Sequence, residues 1–244
     1  RSLGILRGLG LDKLDALSPD AQFPTFFSQY GKVFPPRGER RYKVALLGGC
    51  IANVSFARLH EATVRVLRAN GCEVHVPKEQ TCCGALALHA GVRGTARRLA
   101  AHNVEALANA GFAALITTAA GCGCTLKEYD HLLGTPEAQR FSSLVKDINE
   151  FLASIELAPP ENAVPLRVTY QDSCHLCHGQ KIRSAPRKLL HAIPGLTFVE
   201  MPGSELCCGS AGIYIIVQNE MSMNLLYMKF DSIATTGAAA IASL

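Results

Sequence analysis

The sequence predicts an α/β protein made of two tandem, duplicated Rossmann-like βαβ units, each with a parallel sheet, related by pseudo-twofold symmetry. Three observations carry that prediction. Short apolar runs alternate with helical segments from residue 42 onward, the pattern of parallel strands joined by crossover helices. The tripeptide Cys82-Cys83-Gly84 returns at Cys207-Cys208-Gly209. A lone cysteine precedes each pair at nearly the same distance, Cys50 by 32 positions and Cys174 by 33. Cys50 to Cys174 is 124 positions and Cys82 to Cys207 is 125, the length of a whole α/β unit and not of a solenoid repeat.

Residues 1–41 read as a connector. Leu3, Leu6, Leu9, Leu11, Leu14 and Leu17 suggest short amphipathic turns, Pro19, Pro24, Pro35 and Pro36 break anything longer, and PPRGERR at 35–41 is polar and exposed. The first unit spans 42–160. An apolar strand at 43–47 runs into Gly48-Gly49-Cys50, and a helix at 56–69 is closed by Asn70-Gly71. A strand at 73–77 precedes the first cysteine pair. A helical region at 85–110, interrupted near Gly91 or Gly94, leads to a strand at 112–118 with GCGC at 121–124 just past its end. A segment at 125–133 and a helix at 142–155 close the unit before Pro159-Pro160.

The second unit, 161–244, repeats the plan. It has a strand at 166–171, the turn Asp172-Ser173-Cys174, a helix at 184–192, a strand at 196–200, a helix at 219–235 and a final strand at 238–243. The framed cysteines then lie beyond the carboxyl ends of strands, where open α/β sheets bind their ligands. In the first unit 38 residues separate Cys83 from Cys122. The same spacing after Cys208 reaches position 247, so a closing cysteine is expected just past the last residue given, Leu244.

Composition narrows the function. With 48% hydrophobic and 18% charged residues in 244, the chain can bury a large core and is not disordered by composition. A net charge of +4 with scattered basic residues lacks the electrostatic footprint of a nucleic-acid binder. The longest uncharged run, 106–126, contains four polar or glycine breaks and three threonines, and does not read as a membrane span. No signal peptide is recognisable, and a chain beginning at Arg1 is expected to be a piece of something longer. Ten cysteines fall short of a disulfide-dense scaffold, and adjacent cysteines cannot easily bond each other. Metal or redox chemistry is therefore favoured over a disulfide framework.

Seven cysteines make the doubled frame: Cys50, Cys82, Cys83 and Cys122 in the first copy, Cys174, Cys207 and Cys208 in the second. Four cysteines per copy suit an iron–sulfur cluster or an all-cysteine zinc site. Structural zinc sites usually draw ligands from two short C-x2-C knuckles. Single cysteines from two strand ends and an adjacent pair from a third favour the bulkier cluster. Zinc at one site stays open as the alternative.

The frame C-x31-CCG-x37-C, nearly repeated, resembles the CCG cysteine-rich domain of heterodisulfide reductase subunits and related respiratory iron–sulfur proteins. The flanking segments LLGGCIANV (46–54), CCGALALHAG (82–91), TAAGCGCTLKEYDHLL (118–133), SCHLCHGQ (173–180), PRKLLHAIPGL (186–196), CCGSAGIY (207–214) and TGAAAIASL (236–244) narrow it. Together they resemble the iron–sulfur subunits of bacterial glycolate oxidase (glycolate dehydrogenase) over residues 42–244. That resemblance implies an iron–sulfur cluster, expected as [4Fe-4S], bound by the framed cysteines. It implies an electron-transfer role beside a flavin-containing 2-hydroxy-acid (glycolate) dehydrogenase, with electrons passing to a respiratory quinone or another acceptor. The chain alone is then not catalytic. It also implies a ferredoxin-like domain ahead of residue 1 and a cytoplasmic location, with peripheral attachment at the inner face of the cell membrane left open. Related lactate-utilisation and anaerobic glycerol-3-phosphate dehydrogenase subunits share the frame.

Three cysteines lie outside it. Cys72 reads as a small buried residue. Cys124 could add a ligand, although C-x-C departs from the C-x2-C ending of heterodisulfide reductase domains. Cys177 makes C-x2-C with Cys174, but Asn53 holds the matching place in the first copy. His89, His175 and His178 read as capping or core histidines, with donation to cluster sulfur as the functional alternative. Arg93, Arg97 and Arg98 form a basic helical face, usually just solvated. Two other functions compete with electron transfer: a heterodisulfide-reductase-like thiol–disulfide redox catalyst, and a zinc-stabilised interaction module.

Overall fold

Strand β2 (Tyr42–Leu47) shows how the first sheet is built. Val44 and Leu46 are fully buried on one face and Ala45 and Leu47 on the other, so the run is apolar on both sides of the pleat. The computed structural model describes residues 18–210, 212 and 214–243; the leucine turns expected at 3–17 lie outside them.

Around β2 the chain folds in the order β1 (Val33–Phe34), β2, α1 (Ile51–Ser55), α2 (Ala57–Ala69), β3 (Cys72–His75), α3 (Ala85–His89) and α4 (Arg93–Leu107). It continues through β4 (Ala114–Thr117), α5 (Ala120–Lys127), α6 (Tyr129–Leu133), α7 (Pro136–Leu144), β5 (Val145–Asp147) and α8 (Ile148–Ser154). The sheet order is β1-β3-β2-β4-β5, parallel except for the edge strand β1. One face packs Val44, Leu46 and Ile116 on Val64 and Leu67 of α2 and on Phe26. The other packs Ala45, Leu47 and Leu115 on Ala96 and Ala100 of α4, Tyr129 and Phe141. Each fully buried large apolar side chain stabilises the fold by about 1.5–3 kcal/mol relative to exposure.

The second sheet consists of β6 (Arg167–Tyr170), β7 (Thr197–Val199) and β8 (Ala240–Ala242) in the parallel order β7-β6-β8. A π-helical turn, His175–Gly179, and α9 (Ser184–His191) connect β6 to β7; α10 (Tyr214–Val217) and α11 (Asn219–Thr235) lead to β8. This is the β3-β2-β4 arrangement again, register included. Val44 faces Val74 and Ala114, and Val168 faces Phe198 and Ala240. Val44 to Val168 and Val74 to Phe198 are each 124 positions, and Ala114 to Ala240 is 126. The two sheets meet through α8 against α9 and through α5 against the π-helical turn. Leu176, Ile182 and Ala120 pack there, and Lys188 Nζ donates to Ala153 O at 2.7 Å.

Two expectations change. The helix at 142–155 is interrupted by β5, whose three residues pair with β4 before the capping box of Asp147 and Glu150 starts α8. The GCGC stretch lies just past the end of β4, as expected, and there forms part of α5. Residues 26–34, read as connector, lie against the first sheet: Phe26 is buried in its core and β1 extends its edge. PPRGERR stays at the surface apart from half-buried Pro36. The expected helix break falls at Gly91, φ +77°, between α3 and α4.

Candidate metal centre

Each framed cysteine of the first unit is held by its backbone. Cys50 begins α1 after a tight turn in which Gly49 has φ +68°. Gly48 N–H donates to Gln80 Oε1 at 2.8 Å, and Gln80 Nε2 donates to Leu46 O and Pro77 O at 3.2 and 3.0 Å. Gln80 therefore ties the end of β2 to the segment that carries Cys82 and Cys83. His60, fully buried, sits with Nε2 3.0 Å from Gly48 O, and burial lowers its pKa. On the other side Asn103 of α4 accepts from Thr81 N at 2.8 Å and donates to Cys82 O at 3.2 Å. Tyr129 Oη donates to Cys83 O at 2.8 Å and lies 3.2 Å from Asn103 Nδ2. Gly84, φ +80°, turns the chain and donates its N–H to Cys82 Sγ at 3.4 Å.

These contacts bring Cys50, Cys82, Cys83 and Cys122 to one cavity of about 980 Å³ with largely apolar walls. Cys82 Sγ is 3.6 Å from Cys50 Sγ, and Cys83 is hydrogen-bonded to Cys122. Hydrogen bonding to Cys82, then burial, raises the Cys50 pKa; hydrogen bonding to Cys122 pushes Cys83 up to about 12 and lowers Cys122 in return. Four thiols this close cannot all ionise without a compensating cation. Among the described residues, no three Cys, His, Asp or Glu side chains gather round one point as a single ion requires. The donor set and the space fit an iron–sulfur cluster, which spreads its thiolates over several metal atoms.

The second set repeats the local geometry. Cys174 begins the π-helical turn as Cys50 begins α1, and burial followed by repulsion from Cys207 and Cys208 raises its pKa. Gly209, φ +86°, donates its N–H to Cys207 Sγ at 3.3 Å. Ser222 Oγ donates to Gly209 O at 2.7 Å, and Lys229 Nζ donates to Gly203 O at 2.7 Å and Ser204 O at 3.3 Å. Arg187 forks onto Asp172, two residues before Cys174, at 3.0 and 2.7 Å, and also binds Glu200 at 2.8 and 2.6 Å.

The cysteines outside the frame stay outside both sets. Cys72 is fully buried in the core of the first sheet. Cys124 turns to Glu128, 3.8 Å away, and a Cβ on Gly179 would lie 2.8 Å from its sulfur. Cys177 is fully buried where the first unit has fully buried Asn53, so C-x2-C here is a ligand candidate followed by a core residue. His89 and His175 stack at 5.7 Å with rings 5° from parallel, and both line the first cavity. His178 reaches Glu205 O at 3.1 Å. Of the basic face, Arg97 donates to Leu132 O at 2.6 Å. Sequence reasoning missed Gln80, Asn103, Tyr129 and Lys229. The legible signal was a polar residue on the buried stripe of a helix, Asn103 among Ala96, Ala100 and Val104.

A family model described as CCG, cysteine-rich domain, matches residues 44–127 and 168–244. The chain is 38% identical over 250 aligned positions to the "Probable glycolate oxidase iron-sulfur subunit" of Bacillus subtilis (strain 168), covering 99% of this chain and 56% of that protein. It is 40% identical to a fumarate reductase (CoM/CoB) subunit of Methanothermobacter marburgensis, over 70% of this chain and 33% of that protein. It is 30% identical to "Lactate utilization protein A" of an Exiguobacterium species, over 80% of this chain and 82% of that protein. The chain thus spans little more than half of the first relative and a third of the second.

Proposed function

The chain belongs to the cysteine-rich CCG domain family, and from that premise we propose that it is the cluster-binding part of an iron–sulfur electron-transfer subunit. Its electrons come from a flavin-containing 2-hydroxy-acid dehydrogenase, glycolate being the substrate suggested by the Bacillus subtilis relative, and pass towards a respiratory quinone or other acceptor. The observation that carries this reading is the convergence of Cys50, Cys82, Cys83 and Cys122 on one apolar cavity.

A bound iron–sulfur cluster, with [4Fe-4S] the type the family resemblance implies, would supply one-electron chemistry. Cys50, Cys82, Cys83 and Cys122 would hold it in the first unit, and Cys174, Cys207 and Cys208 would supply three ligands in the second. The Gly84 and Gly209 amides donate to ligand sulfur, which stabilises negative charge there and favours the reduced state. Asn103 and Tyr129 fix the carbonyls of the paired cysteines, so both sulfurs keep their direction when charge changes. The apolar walls limit the access of water to the thiolates, Cys83 being buried and the other three half-buried. No acid–base pair is needed, since only electrons move. No helix among the described residues is long and apolar enough to cross a membrane, so any membrane contact through them is peripheral.

Cys83→Ser in the subunit assembled with its flavoprotein tests this role. The expected result is flavin reduction by the 2-hydroxy acid at the normal rate with acceptor reduction lost. Loss of flavin reduction itself contradicts a relay role.

A further inference from the structure

The two units are not electrostatically equal at one matched position. A Cβ on Gly84 would meet Ala96 of α4, and one on Gly209 would meet Ser222 of α11, so 96 and 222 are equivalent, 126 positions apart. Two helical turns further along the same face come Asn103 and Lys229, again 126 apart. Both are buried, 3% and 5% exposed, and both reach back to backbone carbonyls of the cysteine-bearing segment. One is a neutral amide and the other an ammonium.

Lys229 Nζ is held on Gly203 O and Ser204 O, four and three residues ahead of Cys207. Burial lowers its pKa, while the negative charge of Cys208 and Cys174, then of Glu205 and Asp172, raises it. Asp172 is paired with the Arg187 fork, which it shares with Glu200, and Glu205 is half-buried with solvent to screen it. Among the described residues, the leading influences on Cys50, Cys82, Cys83 and Cys122 are the cysteines of the same set, burial and backbone amides. A dry positive charge favours whichever redox state carries more negative charge.

Resting on the electron-transfer reading above, we propose that Lys229 sets the iron–sulfur group held by Cys174, Cys207 and Cys208 at a higher reduction potential than the group held by the first set. One electron then passes downhill from the reduced first group to the oxidised second. No proton or bond is exchanged. The duplicated fold supplies two similarly built cysteine turns, and the Asn103/Lys229 difference gives them a direction.

The test is a potentiometric titration followed by electron paramagnetic resonance on the full-length subunit, with the second signal assigned by its loss in Cys208→Ser. Lys229→Gln is expected to lower the reduced-to-oxidised ratio of that signal about tenfold at fixed potential, 59 mV for one electron, leaving the first signal in place. Lys229→Arg, which keeps the charge, restores most of the ratio. An unchanged signal in Lys229→Gln, or equal shifts in Lys229→Gln and Lys229→Arg, overturns the proposal and leaves the relay reading standing. If Cys208→Ser changes neither iron content nor spectrum, the second set holds no cluster, and both readings fail for that unit.

Discussion

Gly84 and Gly209 occupy the same left-handed backbone position, φ +80° and +86°, and each donates its amide to the sulfur of the cysteine two residues earlier, at 3.4 and 3.3 Å. The pair shows why the glycine accompanies the cysteines. It turns a chain that carries two ligands, leaves room for the helix behind it and hydrogen-bonds a ligand sulfur.

The cost of a side chain differs between the two. A Cβ on Gly84 would lie 3.3 Å from Ala96 Cα, a tight contact, whereas one on Gly209 would overlap the Ser222 carbonyl. A left-handed non-glycine residue costs about 1–2 kcal/mol, and overpacking adds about 1–3 kcal/mol. Urea unfolding should therefore show Gly209→Ala losing more stability than Gly84→Ala. Equal losses would mean that α11 yields where the packing says it cannot.

Tyr129→Phe removes the only hydroxyl on Cys83 O among the described residues and strands one Asn103 amide contact. Leaving buried partners unsatisfied costs about 1–3 kcal/mol. The expected outcome is a lower urea midpoint together with a faster loss of iron to a chelator. Iron retention at the wild-type rate would show that the carbonyl clamp does not position the ligands.

Cys122→Ser and Cys124→Ser should part company in iron content. Cys122 lines the cavity with the other three thiols, while Cys124 faces Glu128. Cys122→Ser is expected to lose the iron of the first set and Cys124→Ser to keep it. Cys177→Ser should keep its iron but unfold more easily by about 1–3 kcal/mol, because it buries a hydroxyl in a core site.

That contrast also marks where the sequence stops being informative. The strand–turn–cysteine order and the doubled frame could be read directly, because apolar runs and glycine turns are local signals. The role of Cys124 could not, since it depends on whether GCGC is loop or helix. In α5 residues two apart point to nearly opposite faces, so Cys122 turns inward and Cys124 away. Strand β5 was hidden for a different reason. Its three residues hold their conformation through pairing with β4, and helix-forming neighbours on both sides cover it in sequence. Lys229 was invisible because a lysine in an exposed-looking helix gives no hint that its ammonium turns inward to Gly203 O.

His60 gives the fold a pH dependence of its own. Burial lowers its folded pKa below the usual imidazole value near 6.5, so below that pH the unfolded chain binds a proton that the folded chain refuses. The stabilisation is complete above about pH 6.5 and is lost as pH falls from there towards the folded value. Urea midpoints measured from pH 8 to 5 should fall in that window and fall less in His60→Gln. The same slope in both proteins would assign it to other groups.

An electron relay requires the cysteine sets to hold iron–sulfur clusters. Anaerobic purification of the full-length protein, followed by iron, acid-labile sulfide and zinc analysis with electron paramagnetic resonance, tests it most directly. The expected result is iron and sulfide in matching amounts and a cluster signal that Cys83→Ser diminishes. Stoichiometric zinc with no iron would contradict it.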